Sequence, residues 1–119
     1  MGLARQAAEH AYAVMASGDI DTLMQMCTPD CELVEAGNHL HGPDQIGPYL
    51  RVYFTALANM RPEIRSMIES DDAVAAEISF VATEPPEAAP SNDIERADFI
   101  TFRDGKIAHW HVYIDLPAS

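Results

Sequence analysis

The order of helical and strand-like segments along the chain predicts an α+β fold, in which helices pack against one sheet. Three segments with helical spacing of apolar residues occupy most of the first half. Four long apolar segments follow, and Asp-Asp and Asp-Gly pairs stand where tight turns between strands are expected. The length of 119 residues is typical of one domain, so we expect residues 1–119 to form a single domain.

The three helices can be placed from their end signals. The first covers about residues 3–16 and ends at Gly18, because glycine is favoured at a helix end. Asp19 caps a short second helix over residues 20–26. The third covers about residues 42–59, and its early Gly-Pro pair indicates a kink or a late start. The apolar side of this helix is predicted to consist of Tyr49, Val52, Tyr53, Ala56 and Leu57.

Alternation of apolar and polar residues locates the strands, with turn residues between them. The predicted strands are residues 31–35, 39–41, 63–70, 73–83, 95–103 and 106–115. A turn at Gly37-Asn38 separates the first two, and Asp104-Gly105 between two apolar runs is typical of a two-residue hairpin. Residues 84–93 contain three prolines and are predicted to form a loop, with or without a role as a lid over a pocket.

Charge and composition exclude several classes of partner. Seven Lys and Arg against nineteen Asp and Glu give a net charge of −12, which repels phosphate backbones, so no nucleic acid is expected. No apolar run approaches the roughly 18 residues of a membrane span, so no membrane is expected either. The first ten residues lack the basic flank and apolar centre of a signal peptide, which predicts a cytoplasmic protein.

Two carboxyl groups fall on apolar faces of predicted strands. Asp98 alternates with Ile100 and Phe102, and Glu35 alternates with Leu33. If these faces point at the core, burial favours the neutral forms. A neutral acid can then donate to a developing oxyanion while a second carboxylate removes a proton. If the strands are turned the other way, both acids are solvated, and the pattern alone leaves both orientations open.

Three stretches resemble the delta-5-3-ketosteroid isomerases and the SnoaL-like polyketide cyclases of the NTF2-like superfamily. They are residues 17–21, residues 28–35 and the segment 97–107. The resemblance implies a cone in which three N-terminal helices pack on a strongly curved, mostly antiparallel sheet and enclose a pocket. It also implies that Glu35 stands where the isomerases carry their catalytic base and Asp98 where they carry a protonated acid, a pairing known from that family. In the cyclases the position of Asp98 holds the catalytic acid/base. The roles can therefore also be reversed, with Asp98 as the base and Glu35 as the acid.

The chain departs from the isomerase pattern at two positions. The isomerases have a tyrosine in the first helix, whose matching position is Ala11, whereas Tyr12 lies one residue further, about 100° around the helix. Glu35 in place of aspartate also lengthens the base by one methylene group. Both differences point away from a steroid as the substrate.

The last segment, residues 105–116, resembles the final strand of limonene-1,2-epoxide hydrolases. Those enzymes need an Asp–Arg–Asp set, and the matching positions are the apolar Ile78, Phe80 and Val112. Epoxide hydrolysis by that set is therefore disfavoured, and an epoxide hydrolase or dehydratase would need different residues. The resemblance also implies which residues face the cavity: Ala108, Trp110, Val112 and Ile114.

The resemblances together imply a cofactor-independent acid/base enzyme, an isomerase or an aldol-type cyclase, acting on a small hydrophobic carbonyl compound. Asp98 and Glu35 are the catalytic candidates. The candidate substrate-binding residues are Tyr12, His39, Tyr53, Phe80, Ile100, Trp110 and Val112. The alternative is a non-catalytic protein of the same fold that binds a ligand or serves as a dimerising scaffold.

No cofactor and no metal are expected. Cys27 and Cys31 lack a second pair to complete a zinc site, so two buried thiols are predicted. The His-x-His pairs at 39/41 and 109/111 can each share one side of a strand, but they are expected at the surface or at an interface. The resemblance implies a homodimer formed through the outer face of the sheet.

Overall fold

Three helices and six strands make up the part of the chain that the computed structural model describes, residues 2–56, 60–82 and 94–115. The helices are α1 (Leu3–Ser17), α2 (Ile20–Gln25) and α3 (Pro43–Ala56). The strands are β1 (Cys27–Glu35), β2 (Asn38–His41), β3 (Met60–Glu69), β4 (Ala73–Ala82), β5 (Ile94–Arg103) and β6 (Lys106–Asp115). Of these helices, none combines the length and the apolar character that crossing a bilayer requires.

The helix boundaries follow the predicted end signals. Gly18 adopts a left-handed conformation with φ 77°, and its N–H donates to the carbonyl of Met15 at 3.0 Å. The Asp19 side chain accepts a hydrogen bond from the N–H of Thr22 at 3.1 Å. α3 begins at Pro43 and continues through Pro48, so it has no late start.

The predicted apolar side of α3 is wrong at Val52, which is 73% exposed. Ile46 and Leu50 are buried instead, and Phe54 packs against the core one turn further along. Ile46, Leu50 and Phe54 are spaced four residues apart, so they lie on the side of α3 that faces the sheet. Val52 lies on the side that faces away from the sheet. Leu57 and the predicted helix end lie outside the described residues, as does the predicted loop of residues 84–93.

The sheet has the strand order β2-β1-β6-β5-β4-β3, in which β1 and β6 are parallel and all other neighbours are antiparallel. The sheet is curved and open, with the helices packed on it, so the predicted α+β cone is confirmed. β1 begins at Cys27 rather than at Cys31, because an irregularity in its pairing with β6 accommodates the extra residues.

Two hairpins set the register of the strands. Asp104 and Gly105 have φ values of 53° and 80°, the left-handed pair that a tight two-residue hairpin needs, as predicted. Ala36 and Gly37 form the turn between β1 and β2 with φ values of 51° and 85°, one residue earlier than predicted. Glu35 is consequently the last residue of its strand.

Candidate functional site

Glu35 and Asp98 both point into the fold. They are 2% and 0% exposed, which decides between the two orientations that the alternation left open. Val112 of β6 pairs with Glu35 on one side and with Asp98 on the other. Because neighbouring strands lie about 4.8 Å apart, the Cα atoms of the two acids are about 10 Å apart across the sheet.

Three donors converge on one oxygen of Asp98. Oδ2 accepts from the Tyr12 hydroxyl at 2.6 Å, the Arg96 Nη2 at 2.8 Å and the Trp110 Nε1 at 3.0 Å. An ionised carboxylate only accepts hydrogen bonds, so it fits this arrangement. The strand pattern placed Asp98 beside apolar residues such as Ile100 and suggested a neutral, donating acid. The three donors that meet at Oδ2 fit an accepting carboxylate instead.

Arg96 was not predicted from the sequence as a residue of this site. Its side chain is 4% exposed, and Cζ lies 4.7 Å from the ring centre of Phe80. Nη1 donates to the Tyr53 hydroxyl oxygen at 3.4 Å. Burial acts to lower the pKa of Arg96, but the attraction of Asp98 and smaller contributions from neighbouring groups raise it overall. Strand alternation could have found it, since Arg96 precedes Asp98 by two positions and therefore shares its face.

Glu35 is held differently from Asp98. Its Oε1 accepts from the hydroxyl of Tyr49 at 3.0 Å. Tyr49 lies one turn before Tyr53 on α3, so that helix supplies a hydroxyl to each of the two charged groups Glu35 and Arg96. Tyr49 was predicted on the apolar side of α3, with no role at the site.

A small cavity lies between the helices and the inner face of the sheet. Its lining comprises Met15, Leu33, Glu35, Leu50, Phe54, Arg96, Trp110 and Val112. The open volume is about 10 Å³, which is the room that one water molecule needs. The side chains in its wall are mostly apolar, with one acidic residue, Glu35, and one basic residue, Arg96.

Three buried polar atoms of this site have no hydrogen-bond partner among the described residues. They are Glu35 Oε2, Arg96 Nε and Asp98 Oδ1. Leaving a buried donor or acceptor unpaired costs about 1–3 kcal/mol, so such atoms usually meet a water or a ligand. Two of the three, Glu35 Oε2 and Arg96 Nε, belong to residues that line the cavity. The mostly apolar cavity therefore offers one acceptor and one donor to a bound molecule.

Most of the predicted binding residues meet at this site. Trp110 and Val112 line the cavity, as expected for their face of β6. Tyr12 reaches Asp98 in spite of the one-residue offset from the isomerase position. Phe80 lies beneath the Arg96 guanidinium.

Ile100 and His39 lie outside the cavity wall. Ile100 is fully buried and pairs with Trp110 in the sheet. His39 is exposed and pairs with Val34, so it lies on the opposite face of the β1–β2 hairpin from Glu35. His111 stacks on the exposed Tyr113 with 4.2 Å between ring centres. Among the described residues, no three His, Cys, Asp or Glu side chains are grouped as a metal site would need.

Alkaline pH is expected to destabilise the fold through its buried tyrosines. Burial, the largest cause, raises the pKa values of Tyr12, Tyr49 and Tyr53, in the last case to about 12. In the unfolded chain tyrosine ionises near pH 10. Between about pH 10 and 12 the unfolded chain therefore binds fewer protons than the folded one, and the free energy of unfolding falls as pH rises.

Urea unfolding from about pH 9 to 11.5 measures this fall. Tyr53→Phe is expected to make the curve less steep, because it removes one of the buried hydroxyls. Equal slopes in the wild type and in Tyr53→Phe would contradict the assignment.

The sequence pattern of the SnoaL-like domain matches residues 8–110 of the chain. The sequence matches no curated protein. Its structure is similar to that of TerC co-crystallised with polyporic acid, at 24% identity, a TM-score of 0.77, and coverage of 95% of this chain and 92% of TerC.

Two further solved structures carry family descriptions. A SnoaL-like protein of unknown function from Burkholderia thailandensis has 15% identity, a TM-score of 0.78 and coverage of 98% of both chains. A protein with a ketosteroid isomerase-like fold from Catenulispora acidiphila, in complex with trimethylamine, has 18% identity, a TM-score of 0.74, and coverage of 92% of this chain and 85% of that one. At these identities the structural likeness shows the fold, and the sequence match shows the family. The chain belongs to the SnoaL-like domain family.

Proposed function

We propose that this protein is a cofactor-independent acid/base enzyme, an isomerase or an aldol-type cyclase, for a small hydrophobic carbonyl compound. SnoaL-like and NTF2-like proteins include cyclases and isomerases, and domains of this fold bind small hydrophobic ligands. One observation carries the proposal: a carboxyl group and a guanidinium, each with an unpartnered polar atom, line the same apolar cavity.

In the proposed reaction Glu35 is the base and Arg96 stabilises the oxyanion. The substrate carbonyl accepts a hydrogen bond from Arg96 Nε, and Glu35 Oε2 removes a proton from the carbon next to that carbonyl. The resulting enolate either recovers the proton at another carbon, which is isomerisation, or attacks a second carbonyl group, which is aldol-type ring closure. Asp98 is a positioning residue, because its contact with Arg96 Nη2 holds the guanidinium in place.

The charges of the site favour this direction of proton transfer. Before the reaction the negative charge is on Glu35, and afterwards it is on an enolate oxygen against Arg96. The attraction of Arg96 for that oxygen is therefore stronger in the transition state than in the ground state, which is the condition for rate acceleration. Burial of Arg96 strengthens the effect, because the surroundings are low in dielectric.

The substrate needs more room than the cavity offers. Leu50 and Phe54 of α3 form one part of the wall, and the strands form the other. We infer that binding displaces these two side chains outward and that the substrate then contacts Trp110 and Val112. The apolar character of this wall favours a hydrophobic substrate.

Proton exchange in deuterated buffer tests the function. Cyclic ketones and polyketide-like diketones are incubated with the protein, and exchange next to the carbonyl is followed by NMR. Polyporic acid belongs in the panel because it was co-crystallised with TerC. Protein-dependent exchange in at least one compound is expected, and binding without exchange anywhere in the panel contradicts an enzyme of this type.

A non-catalytic ligand-binding protein is the second candidate. The observation in its favour is that Asp98 Oδ2 is fully used by Tyr12, Arg96 and Trp110, as in a structural network. If this function is right, titration with the panel compounds changes the NMR chemical shifts of Trp110, but none of the compounds exchanges the proton next to its carbonyl.

We also propose that the outer face of the sheet forms a homodimer in a cytoplasmic protein. Phe99 and Tyr113 are 48% and 54% exposed on this face, with 5.7 Å between their ring centres. Exposed aromatic pairs of this kind are typical of interfaces. Phe99→Glu is expected to shift the mass measured by light scattering from dimer to monomer, whereas Val52→Glu on α3 leaves it unchanged. A monomeric wild-type protein contradicts the proposal.

A further inference from the structure

One side chain of the cavity wall, Phe54, reaches solvent. Of the eight described residues in this wall, the other seven are buried, with between 2% and 7% of their surface exposed: Met15, Leu33, Glu35, Leu50, Arg96, Trp110 and Val112. Phe54 is partly exposed and packs against the core from the C-terminal part of α3, one turn after Leu50. A molecule that enters the cavity from solvent therefore meets Phe54 first.

Phe54 belongs to a cluster of three aromatic rings, two of which contact Arg96. The centre of the Phe54 ring lies 5.4 Å from that of Tyr53 and 6.3 Å from that of Phe80. Arg96 Cζ lies 4.7 Å from the ring centre of Phe80, and Arg96 Nη1 donates to the Tyr53 hydroxyl oxygen at 3.4 Å. A Phe54 ring that turns outward therefore leaves a space bordered by the two rings that hold the guanidinium.

The closed cavity has to open before it can hold an organic molecule. Its volume of about 10 Å³ is far below the roughly 300–1,000 Å³ of pockets that bind drug-sized ligands. The free energy lost when an apolar side chain leaves the core grows with the apolar area that returns to water. Phe54 already has part of its surface in water, so it is less costly to displace than a fully packed side chain such as Trp110.

We propose that Phe54 is the gate of the cavity and the residue that limits the size of its ligand. When the Phe54 ring turns toward solvent, a flat ring of the ligand takes its place against Tyr53 and Phe80, and the carbonyl group attached to that ring accepts from Arg96. The ligand is therefore a ketone that carries a flat ring. Leu50 lies deeper and yields only after the ligand has passed Phe54. The position of the carbonyl rests on the proposed function, whereas the gate depends on the cavity alone.

Quenching of tryptophan fluorescence by acrylamide tests the gate without any substrate. Trp110 is the only tryptophan of the chain and lines the cavity, so its quenching measures access from solvent. Phe54→Ala is expected to raise the quenching constant several-fold. Phe54→Leu retains more of the core contacts, is expected to raise it by a smaller factor, and decides the result if Phe54→Ala does not fold.

Leu50→Ala is the matched control, because it also shortens a side chain of α3 in the cavity wall but leaves Phe54 in place. Its quenching constant is expected to stay near that of the wild type. A general loosening of the core would raise the constant equally in Leu50→Ala and Phe54→Ala, and this result overturns the gate. Wild-type quenching in the folded Phe54 variants overturns it as well.

The size limit is tested by the binding of two aryl methyl ketones, acetophenone and the larger acetylnaphthalene, followed through the NMR shift of the Trp110 indole N–H. The wild type is expected to bind acetophenone more tightly, and the Phe54 variants to improve the relative affinity for acetylnaphthalene several-fold. An unchanged ratio of the two dissociation constants, or no binding of either ketone to the Phe54 variants, overturns the size limit. Exchange of the methyl protons next to the carbonyl decides the proposed function separately, since binding without exchange contradicts the enzyme and leaves the gate in place.

Discussion

Asp98→Ala is expected to lower the free energy of unfolding by about 3–5 kcal/mol, because it leaves a buried charge without its partner. The Arg96 side chain is 4% exposed, and the Asp98 carboxylate, at 2.8 Å from Nη2, is its ion-pair partner in the described structure. The same substitution also removes the acceptor of the Tyr12 hydroxyl and the Trp110 indole. Urea unfolding followed by far-UV circular dichroism measures the loss.

The matched control is the double variant Arg96→Met/Asp98→Ala. Without the guanidinium, no buried charge of this pair remains, so the double variant is expected to be more stable than Asp98→Ala alone. Arg96→Met completes the cycle and gives the coupling energy of the pair. The two side chains would act independently if Arg96→Met lowered the free energy of unfolding by the same amount in the wild type and in Asp98→Ala.

The sequence predicted those parts of the fold that depend on local chemistry. Gly18 and Asp19 fix the α1–α2 junction through a left-handed residue and a side-chain cap. Asp104-Gly105 fixes the β5–β6 hairpin. Alternation placed Asp98 on one strand face with Ile100 and Glu35 on one face with Leu33, and the structure shows that both faces are buried. In each case the information lies within a few residues of the feature.

The partners of the two acids could not be predicted in the same way, because they come from distant parts of the chain. Asp98 meets Tyr12 from 86 positions away, across the helix–sheet interface. Val112 comes between the acids only because β1 and β6 pair in parallel. Arg96 was within reach of local reasoning, because it lies two positions before Asp98 and therefore shares its strand face.

Arg96 also changes the role expected of Asp98. Without the guanidinium, the strand pattern suggests an isolated acid in an apolar pocket, which favours a neutral group. With it, the pair resembles a fixed dipole whose positive end lies in the cavity wall. The task of stabilising an oxyanion then belongs to Arg96, and the proposed base is the acid that no guanidinium contacts among the described residues, Glu35.

Glu35→Gln is expected to lower the rate of protein-dependent proton exchange by about 100-fold to 10,000-fold, the usual contribution of a general base. The amide cannot take a proton from the substrate, yet its oxygen can still accept from Tyr49, as Glu35 Oε1 does at 3.0 Å. Among the described residues Glu35 has no ion-pair partner such as Asp98 has, so the free energy of unfolding is expected to stay the same or to rise. The exchange assay and urea unfolding are run on the same preparation.

Tyr49→Phe is the matched control for this substitution, because it removes the hydroxyl and keeps the carboxylate. If Glu35 is the base, Tyr49→Phe retains most of the exchange activity, because the carboxylate that removes the proton is still present. If Glu35 only supports the structure, both variants change the activity by similar small amounts. Loss of exchange in Glu35→Gln together with its retention in Tyr49→Phe therefore separates a base in the cavity from a buried structural acid.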